Sequence, residues 1–282
     1  MGPDILAADL DRRFGGLARL YGADGAKKIR AAHVVVVGLG GVGSWAAEVL
    51  ARSGVARLSL IDLDHIAESN INRQIHALDN TLGQAKVQAM RERIAHINPA
   101  CNVRCVEEFV DAENWPAIAA LDRDADESVS IIDACDQVKA KTAMAAWALQ
   151  YNASHKSPQK INFISVGAAG GKRHAHKVEI DDLSVTTHDP LLAQLRYRLR
   201  KEQGAARQGK MGLTCVFSRE PVMQPGLVAA ENNPAAADGT TLDDGGGQGD
   251  GSLNCHGYGS VVSVTSTFGI CAAGWVLFKI AG

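Results

Sequence analysis

The chain has 282 residues, of which 46% are hydrophobic and 21% charged, so it can bury a large core and is not intrinsically disordered. Its formal net charge of −2 gives no overall attraction to nucleic acid, so any such partner must be held by a local basic patch. The six cysteines include no C-x-x-C pair, which disfavours zinc and a disulfide framework. The N-terminus lacks the pattern of a signal peptide, and we expect a cytoplasmic protein.

Strands and helices alternate through the first part of the chain. A helical segment over residues 11–30 comes first. The predicted strands are short apolar runs, over residues 33–38, 57–62, 102–109, 128–133 and 161–167. The predicted helices between them cover residues 42–54, 84–99 and 138–150. This alternation predicts an α/β fold with a doubly wound, mostly parallel Rossmann-like sheet.

The chain changes character after residue 167. A strand over 172–180 and a basic helix over 190–202 are predicted, and residues 229–251 form a Gly-rich, low-complexity segment that should be a mobile loop. The run from Gly251 to Phe278 has no Asp, Glu, Lys or Arg and is long enough to cross a membrane. Its glycines and hydroxyl side chains favour a buried core or dimer helix instead.

Residues Gly38 to Gly43, GLGGVG, form a G-x-G-x-x-G motif between a Val-rich strand and an Ala-rich helix. Glycine lets the backbone approach a phosphate closely, and the helix N-terminus offers free N–H groups. Asp62, at the end of the second strand, has the spacing of an acid that binds ribose hydroxyls. The pattern predicts a nucleotide site.

Three further charges favour ATP over a redox dinucleotide. ATP carries about four negative charges, and attack at its α-phosphate demands fixed cations. Arg73 lies on the loop after the ribose acid, and Lys86 lies at the start of the next helix. Asp136 follows the fourth strand and is suited to hold Mg²⁺.

Long motifs carry a family resemblance. GLGGVGSW, DLDHIAESNINRQIHALDNTLGQAKVQAM and IIDACDQVKAK resemble the ubiquitin-activating-enzyme-like adenylating superfamily, which includes the molybdopterin and thiamine adenylyltransferases. Within it, the N-R-Q loop, RFGGLARLYG and TCVFSREP are similar to the tRNA threonylcarbamoyladenosine dehydratases. The resemblance runs from about residue 11 to 221 and resumes over 256–269. The Gly-rich insert between these parts has no match.

The resemblance implies an ATP site, a metal site and a dimer. Residues 11–167 would be the ATP-binding domain, and 168–282 a smaller α+β extension for substrate and dimer contacts. The implied ATP-binding set is Gly38, Gly40, Gly41, Gly43, Asp62, Asp64, Asn70, Arg73, Gln74 and Lys86. The implied catalytic set is Arg73, Lys86, Asp136 as the Mg²⁺ ligand, and Arg13. In this family an N-terminal arginine of one subunit of a homodimer reaches the other subunit's ATP. Arg13 is slightly favoured over Arg19 for that role.

The implied activity is ATP-dependent dehydration of N6-threonylcarbamoyladenosine, next to the anticodon of a tRNA, through an acyl-adenylate. Basic side chains that could contact tRNA are Arg196, Arg198, Arg200, Lys201, Arg207 and Lys210 on one segment, and Lys172, Arg173 and Lys177 on another. DNA is not expected as a partner. A cysteine desulfurase or sulfur-acceptor system and a monovalent cation stay open as partner and cofactor.

Two rival functions stay open at this point. One is an adenylyltransferase that activates the C-terminus of a ubiquitin-like sulfur carrier, which is weakened by the lack of two C-x-x-C pairs. The other is an NAD-dependent oxidoreductase, which has no use for Arg73 or Lys86. A non-catalytic scaffold is disfavoured because the phosphate-binding residues are present. Cys255 is more simply a structural or incidental thiol than an acyl carrier.

Overall fold

The computed structural model describes residues 8–121, 129–155, 161–223 and 258–282. The strands are β1 His33–Val37, β2 Arg57–Ile61, β3 Asn102–Val106, β4 Val129–Asp133, β5 Asn162–Val166, β6 Val178–Asp182 and β7 Thr214–Ser218. The helices are α1 Leu10–Phe14, α2 Gly16–Ala31, α3 Gly43–Arg52, α4 Lys86–Ile97, α5 Val138–Ser154, α6 Pro190–Glu202 and α7 Val262–Ala281.

These strands form one sheet in the order β3-β2-β1-β4-β5-β7-β6. Every neighbouring pair is parallel except β6 and β7, which are antiparallel. The chain moves outward from β1 through β2 to β3, then returns to β4 on the other side of β1. The doubly wound, mostly parallel α/β fold predicted from the sequence is therefore confirmed.

The C-terminal part differs in detail from the prediction. The strand expected over 172–180 begins only at Val178, because Ala175–Lys177 form a 3₁₀ turn. Strand β7 was not predicted as a strand, and it pairs with β5, so the sheet runs across residue 167. The functional division of the chain at that residue stays a prediction. Residues 229–251, expected to form a loop, lie outside the described residues.

Helix α7 completes the core against α3. Val264, Phe268, Ala272 and Val276 on its inner face are fully buried and belong to the core cluster that covers one face of the sheet. Among the described residues it is the single helix long and apolar enough to cross a membrane. Its outer face leaves Phe278 62% exposed. The buried inner face agrees with a core helix.

The carboxyl ends of the parallel strands meet at one edge of the sheet, where doubly wound folds bind ligands. Strands β1 and β4 are neighbours there, and the chain leaves them toward opposite sides. The turn after β1 begins with Gly38, whose φ of +85° favours glycine. A Cβ on Gly38 would lie 2.9 Å from the backbone of Ala134 and Cys135, so only glycine lets the two turns pack together.

Candidate functional site

A cavity of about 470 Å³ opens at this edge, lined by the turns after β1, β2, β4 and β5. The sequence-predicted residues that line it are Gly38, Gly40, Gly41, Asp62, Asp64, Asn70, Arg73, Gln74, Lys86 and Asp136. Residues that lie up to 98 positions apart in the chain thus surround one space of nucleotide size. The structure brings them together, and their individual roles stay predictions.

Gly43 is the one member of the predicted ATP-binding set outside this lining. It is the first residue of α3, and a Cβ there would lie 1.8 Å from the carbonyl oxygen of Gly38. Its lack of a side chain allows α3 to start directly against the turn. The helix N-terminus is thereby held at the cavity, where its dipole favours an anion.

Asp62 is held by backbone donors at the end of β2. One of its carboxylate oxygens accepts a hydrogen bond from the backbone N–H of Leu39, and the other accepts one from Asp64 at 2.8 Å. Burial raises the pKa of Asp62, while the nearby Lys86 ammonium and the two backbone donors act in the opposite direction. These donors orient the carboxylate beside the glycine turn, where ribose hydroxyls are expected.

Arg73 and Lys86 approach the cavity from different elements. Nη1 of Arg73 donates to the carbonyl oxygen of Ser69 at 2.6 Å, and its methylenes pack against Gly41, where a Cβ would lie 3.1 Å from Cγ. Lys86 begins α4 and is 6% exposed, and its Nζ lies 2.7 Å from Oδ2 of Asp64. Two fixed cations therefore face the space next to the glycine turn.

Hydrogen bonds hold the loop that carries Arg73 in place. Oδ1 of Asn70 accepts a hydrogen bond from the backbone N–H of Ala67 at 3.1 Å. The indole of Trp45 donates to the backbone carbonyl of Arg73 at 3.0 Å, which ties the loop to α3. Oε1 of Gln74 is buried and has no hydrogen-bond partner among the described residues. Such atoms are usually satisfied by a ligand or water, which suits a place at the rim of a binding site.

Asp136 lies on the wall of the cavity, in the turn between β4 and α5. No cluster of three or more metal-binding side chains occurs among the described residues. Mg²⁺ is commonly bound by one or two carboxylates together with the phosphates of a nucleotide, so a single Asp136 fits that mode.

Sequence reasoning missed a buried ion pair behind this turn. Asp133 and Lys141 are both fully buried, and Nζ lies 2.9 Å from Oδ2. Burial opposes the charge on Lys141, but the Asp133 carboxylate beside it keeps its pKa above the usual range. The feature of the sequence that could have indicated this ion pair is the position of Lys141 on the Ala-rich helix predicted over 138–150.

Other lining residues were also missed. Phe109, which is 54% exposed, lines the cavity, as do Val110 and Leu191. Tyr258 and Thr265, at the start of the C-terminal segment, close another side. Cys255, the thiol considered from sequence, lies outside the described residues.

Neither candidate for the trans arginine lines the cavity of its own chain. Nη1 of Arg13 donates to the carbonyl oxygen of Ile97 at 2.8 Å, and Arg13 lines a separate groove together with Arg93. Arg19 is exposed on α2. Because neither side chain lines the cavity of its own chain, both are candidates for contact with the ATP of another subunit.

The basic residues of α6 proposed for tRNA contact all have partners within the chain. Arg196 is half-buried, and its guanidinium donates to the carbonyl oxygens of Leu183 and Thr186. Arg198 pairs with Glu202 at 3.3 Å, Arg200 donates to the carbonyl of Ala206, and Lys201 lies over the Tyr197 ring.

The suggestion that Lys172 contacts RNA was wrong. Its side chain is 2% exposed, and its ammonium donates to the carbonyl oxygens of His188, Ser218 and Glu220. Arg173 and Lys177, in the same sequence segment, are exposed. Lys172 therefore joins its own segment to residue 188 and to residues 218–220, although it lies within a basic run of the sequence.

Comparisons with known proteins agree on one group. Residues 12–274 match the ThiF family. A tRNA threonylcarbamoyladenosine dehydratase of Haemophilus influenzae is 37% identical, over 99% of this chain and 98% of that protein. Its counterpart in Escherichia coli is 39% identical, over 95% of this chain and 93% of that protein.

Solved structures point the same way. The crystal structure of Escherichia coli tRNA N6-threonylcarbamoyladenosine dehydratase in complex with ATP is 36% identical, with a TM-score of 0.77, and the match covers 98% of this chain and 97% of that one. A second structure of that protein contains AMP. By contrast, the Escherichia coli molybdopterin-synthase adenylyltransferase is 32% identical over only 46% of this chain and 50% of that protein.

Proposed function

The chain belongs to the ThiF family, and we propose that it catalyses the ATP-dependent dehydration of threonylcarbamoyladenosine in tRNA. The observation that carries the proposal is the convergence of Arg73 and Lys86 on the cavity beside the glycine turn. The relatives of matching length carry this activity in their names, and one of them has been crystallised with ATP and with AMP.

The first step is adenylation. The threonyl carboxylate of the modified nucleoside attacks the α-phosphate of ATP, a P–O bond forms, and pyrophosphate leaves with the electrons of the broken bond. The N-terminus of α3 and the glycine turn support the phosphates, while Arg73 and Lys86 stabilise the charge that develops on the leaving group. Asp62 holds the ribose, and apolar lining side chains such as Phe109 offer contacts to the base.

The second step is ring closure. The carbamoyl group of the same modification attacks the activated carbonyl carbon and expels AMP, and a proton is lost from the attacking group. The product is the substrate minus one water, because the oxygen lost from the carboxyl group leaves with AMP. The second nucleophile is already tethered to the first, so positioning contributes much of the rate.

Mg²⁺ would be held by Asp136 and the nucleotide phosphates, where it supplies charge neutralisation during attack. A homodimer would bring Arg13, or Arg19, to the other subunit's phosphates. Support for this arrangement comes from the position of Arg13, which lies in a separate groove away from the cavity of its own chain.

The tRNA is proposed to lie across the basic side chains of α6. Lys201 is exposed there, and Arg198 and Arg200 are half-buried, so all three keep some surface for phosphate contacts, whereas the guanidinium of Arg196 binds backbone carbonyls of the fold. Substitution of Arg198, Arg200 and Lys201 should weaken tRNA binding in a salt-dependent way without changing ATP affinity.

The test is mass spectrometry of tRNA that bears threonylcarbamoyladenosine, incubated with the protein and ATP. The nucleoside should lose the mass of one water, and Arg73→Ala should abolish the loss. Arg91→Ala, which removes an exposed arginine from the outer side of α4, is the matched control and should react normally. An unchanged nucleoside mass with folded, ATP-binding protein would refute the proposal.

The same protein preparation also distinguishes the proposed function from the two alternative functions. A sulfur-carrier adenylyltransferase would exchange pyrophosphate into ATP with a carrier protein and not with modified tRNA. An oxidoreductase would be stabilised against heat by NAD rather than by ATP.

A further inference from the structure

A buried ion pair lies directly behind the turn that carries Asp136. The Nζ atom of Lys141 lies 2.9 Å from Oδ2 of Asp133, and both side chains are fully buried. The same Nζ donates to the backbone carbonyl oxygens of Cys135 at 2.9 Å and of Asp133 at 3.3 Å. A lysine ammonium has three protons, so these acceptors leave none for a bound ligand.

Asp133 is equally satisfied by protein groups. Its Oδ2 accepts a hydrogen bond from the hydroxyl of Ser165 at 2.7 Å, and its Oδ1 contacts Sγ of Cys135 at 3.1 Å. The network thereby joins the ends of β4 and β5 to the first turn of α5. The network affects the cavity through the backbone segment that it holds in place.

That backbone is the segment 134–137, and every residue of it lines the cavity. At its start, the backbone N–H of Ala134 donates to the carbonyl of Val37 at 2.8 Å, which ties the segment to β1. Its backbone also packs against Gly38 of the glycine turn. A change in the shape of this segment would therefore move the carboxylate of Asp136 relative to the glycine turn.

A gain in folding stability does not explain why the Asp133–Lys141 ion pair is buried here. Desolvation of two buried charges offsets most of their attraction, and well-packed apolar side chains of similar size commonly stabilise a fold as well. Lys141 also lies in the first turn of α5, where the helix dipole disfavours a cation. The pair does define a unique geometry for the backbone carbonyls that it binds.

We propose that Lys141 is a positioning residue that, together with Asp133, fixes the 134–137 segment so that Asp136 faces the nucleotide phosphates. The proposal rests on the proposed function in one respect, which is that Asp136 binds the divalent cation of the ATP complex. It assigns Lys141 no contact with ATP. Loss of the pair should therefore weaken cation binding and leave the affinity for free ATP intact.

The deciding variant is the double substitution Lys141→Met and Asp133→Asn, which removes both charges. Lys141→Met alone would leave the buried Asp133 carboxylate without its partner. The measurement is the affinity of the protein–ATP complex for Mn²⁺, read by electron paramagnetic resonance. We expect Mn²⁺ binding to weaken by about tenfold or more, as for other residues that orient a metal ligand. The affinity for ATP without divalent cations should stay within about threefold of the parent, and the melting temperature should confirm folding.

Two further variants keep the test decisive. Lys139→Met removes an exposed lysine from the same helical turn and should bind Mn²⁺ like the parent. Ser165→Ala removes one hydrogen bond to Asp133, keeps both charges, and should weaken Mn²⁺ binding several-fold; it decides the matter if the double variant does not fold.

Unchanged Mn²⁺ affinity in the folded double variant, or in Ser165→Ala if only that one folds, would overturn the proposal. A parent ATP complex that binds no Mn²⁺ would overturn it as well. Because no tRNA is present in these assays, failure of the parent to modify tRNA would refute the proposed function without affecting this result.

Discussion

Replacement of Lys86 by methionine removes one of the two cations at the cavity while it keeps the length of the side chain. Lys86 is 6% exposed, so its charge acts through a medium that screens poorly. Removal of one such preorganised group costs about 10²–10³ in kcat, or about 3–4 kcal/mol of transition-state stabilisation. Its partner Asp64 has a side chain that is 57% exposed and can be hydrated, so the loss of folding stability should be about 1 kcal/mol or less.

The assay is the release of pyrophosphate from ATP in the presence of modified tRNA, with urea unfolding as the check on the fold. Because the Lys86 ammonium lowers the pKa of Asp62 against the effect of burial, that pKa should rise in Lys86→Met, and ATP binding should weaken further as the pH falls. Arg91→Met, on the exposed side of the same helix, should behave like the parent. A Lys86→Met protein that retains parental kcat would refute the reasoning.

Three further predictions concern the folding stability of the protein. Gly43→Ala should lower the free energy of unfolding by about 2–3 kcal/mol in urea, since its Cβ would lie 1.8 Å from the Gly38 carbonyl oxygen. Lys141→Met alone should lower it by about 3–5 kcal/mol, and addition of Asp133→Asn should restore most of that loss. Burial, with Lys86 and Arg93 nearby, lowers the pKa of His76 to about 4, so the stability of the parent should fall by roughly 2–3 kcal/mol between pH 7 and pH 4.5. His76→Gln should flatten that fall.

Each of these three predictions has a control or an outcome that would contradict it. Gly40→Ala adds its Cβ in open space and should unfold like the parent. If the double variant at 133 and 141 is no more stable than Lys141→Met, the cost does not come from an unpaired charge. For the pH effect, the neutral His76 of the folded state resists protonation that the unfolded chain accepts below about pH 6.5, so full stability is present above that pH. Exposed His96→Gln should leave the fall in place.

The fold and most of the cavity could be predicted because their signals are local. Alternating apolar strands and helices set the parallel sheet, and such a sheet gathers the residues that follow its strands at one edge. Asp62, Arg73 and Asp136 could therefore be grouped from the sequence alone. The glycine motif indicated the turn, although the packing function of Gly43 depends on an approach to Gly38 that sequence does not show.

What could not be predicted depends on long-range contacts. A lysine is normally exposed, so its place on an Ala-rich helix was at most a weak indication that Lys141 is buried, and no local pattern indicated burial of Lys172. Both depend on carboxylate or carbonyl partners that the fold brings to them. Tyr258 and Thr265 reach the cavity from the C-terminal part of the chain, beyond any local pattern. The choice between Arg13 and Arg19 depends on a second subunit.

The most direct test of adenylation follows an oxygen atom. Modified tRNA would be prepared with oxygen-18 in the threonyl carboxylate and incubated with the protein and ATP, and the AMP would be analysed by mass spectrometry. Attack by that carboxylate on the α-phosphate, followed by ring closure, should transfer one labelled oxygen to AMP for each ring formed. Unlabelled AMP, or label found in inorganic phosphate alongside ADP, would contradict activation of the carboxylate at the cavity next to the glycine turn.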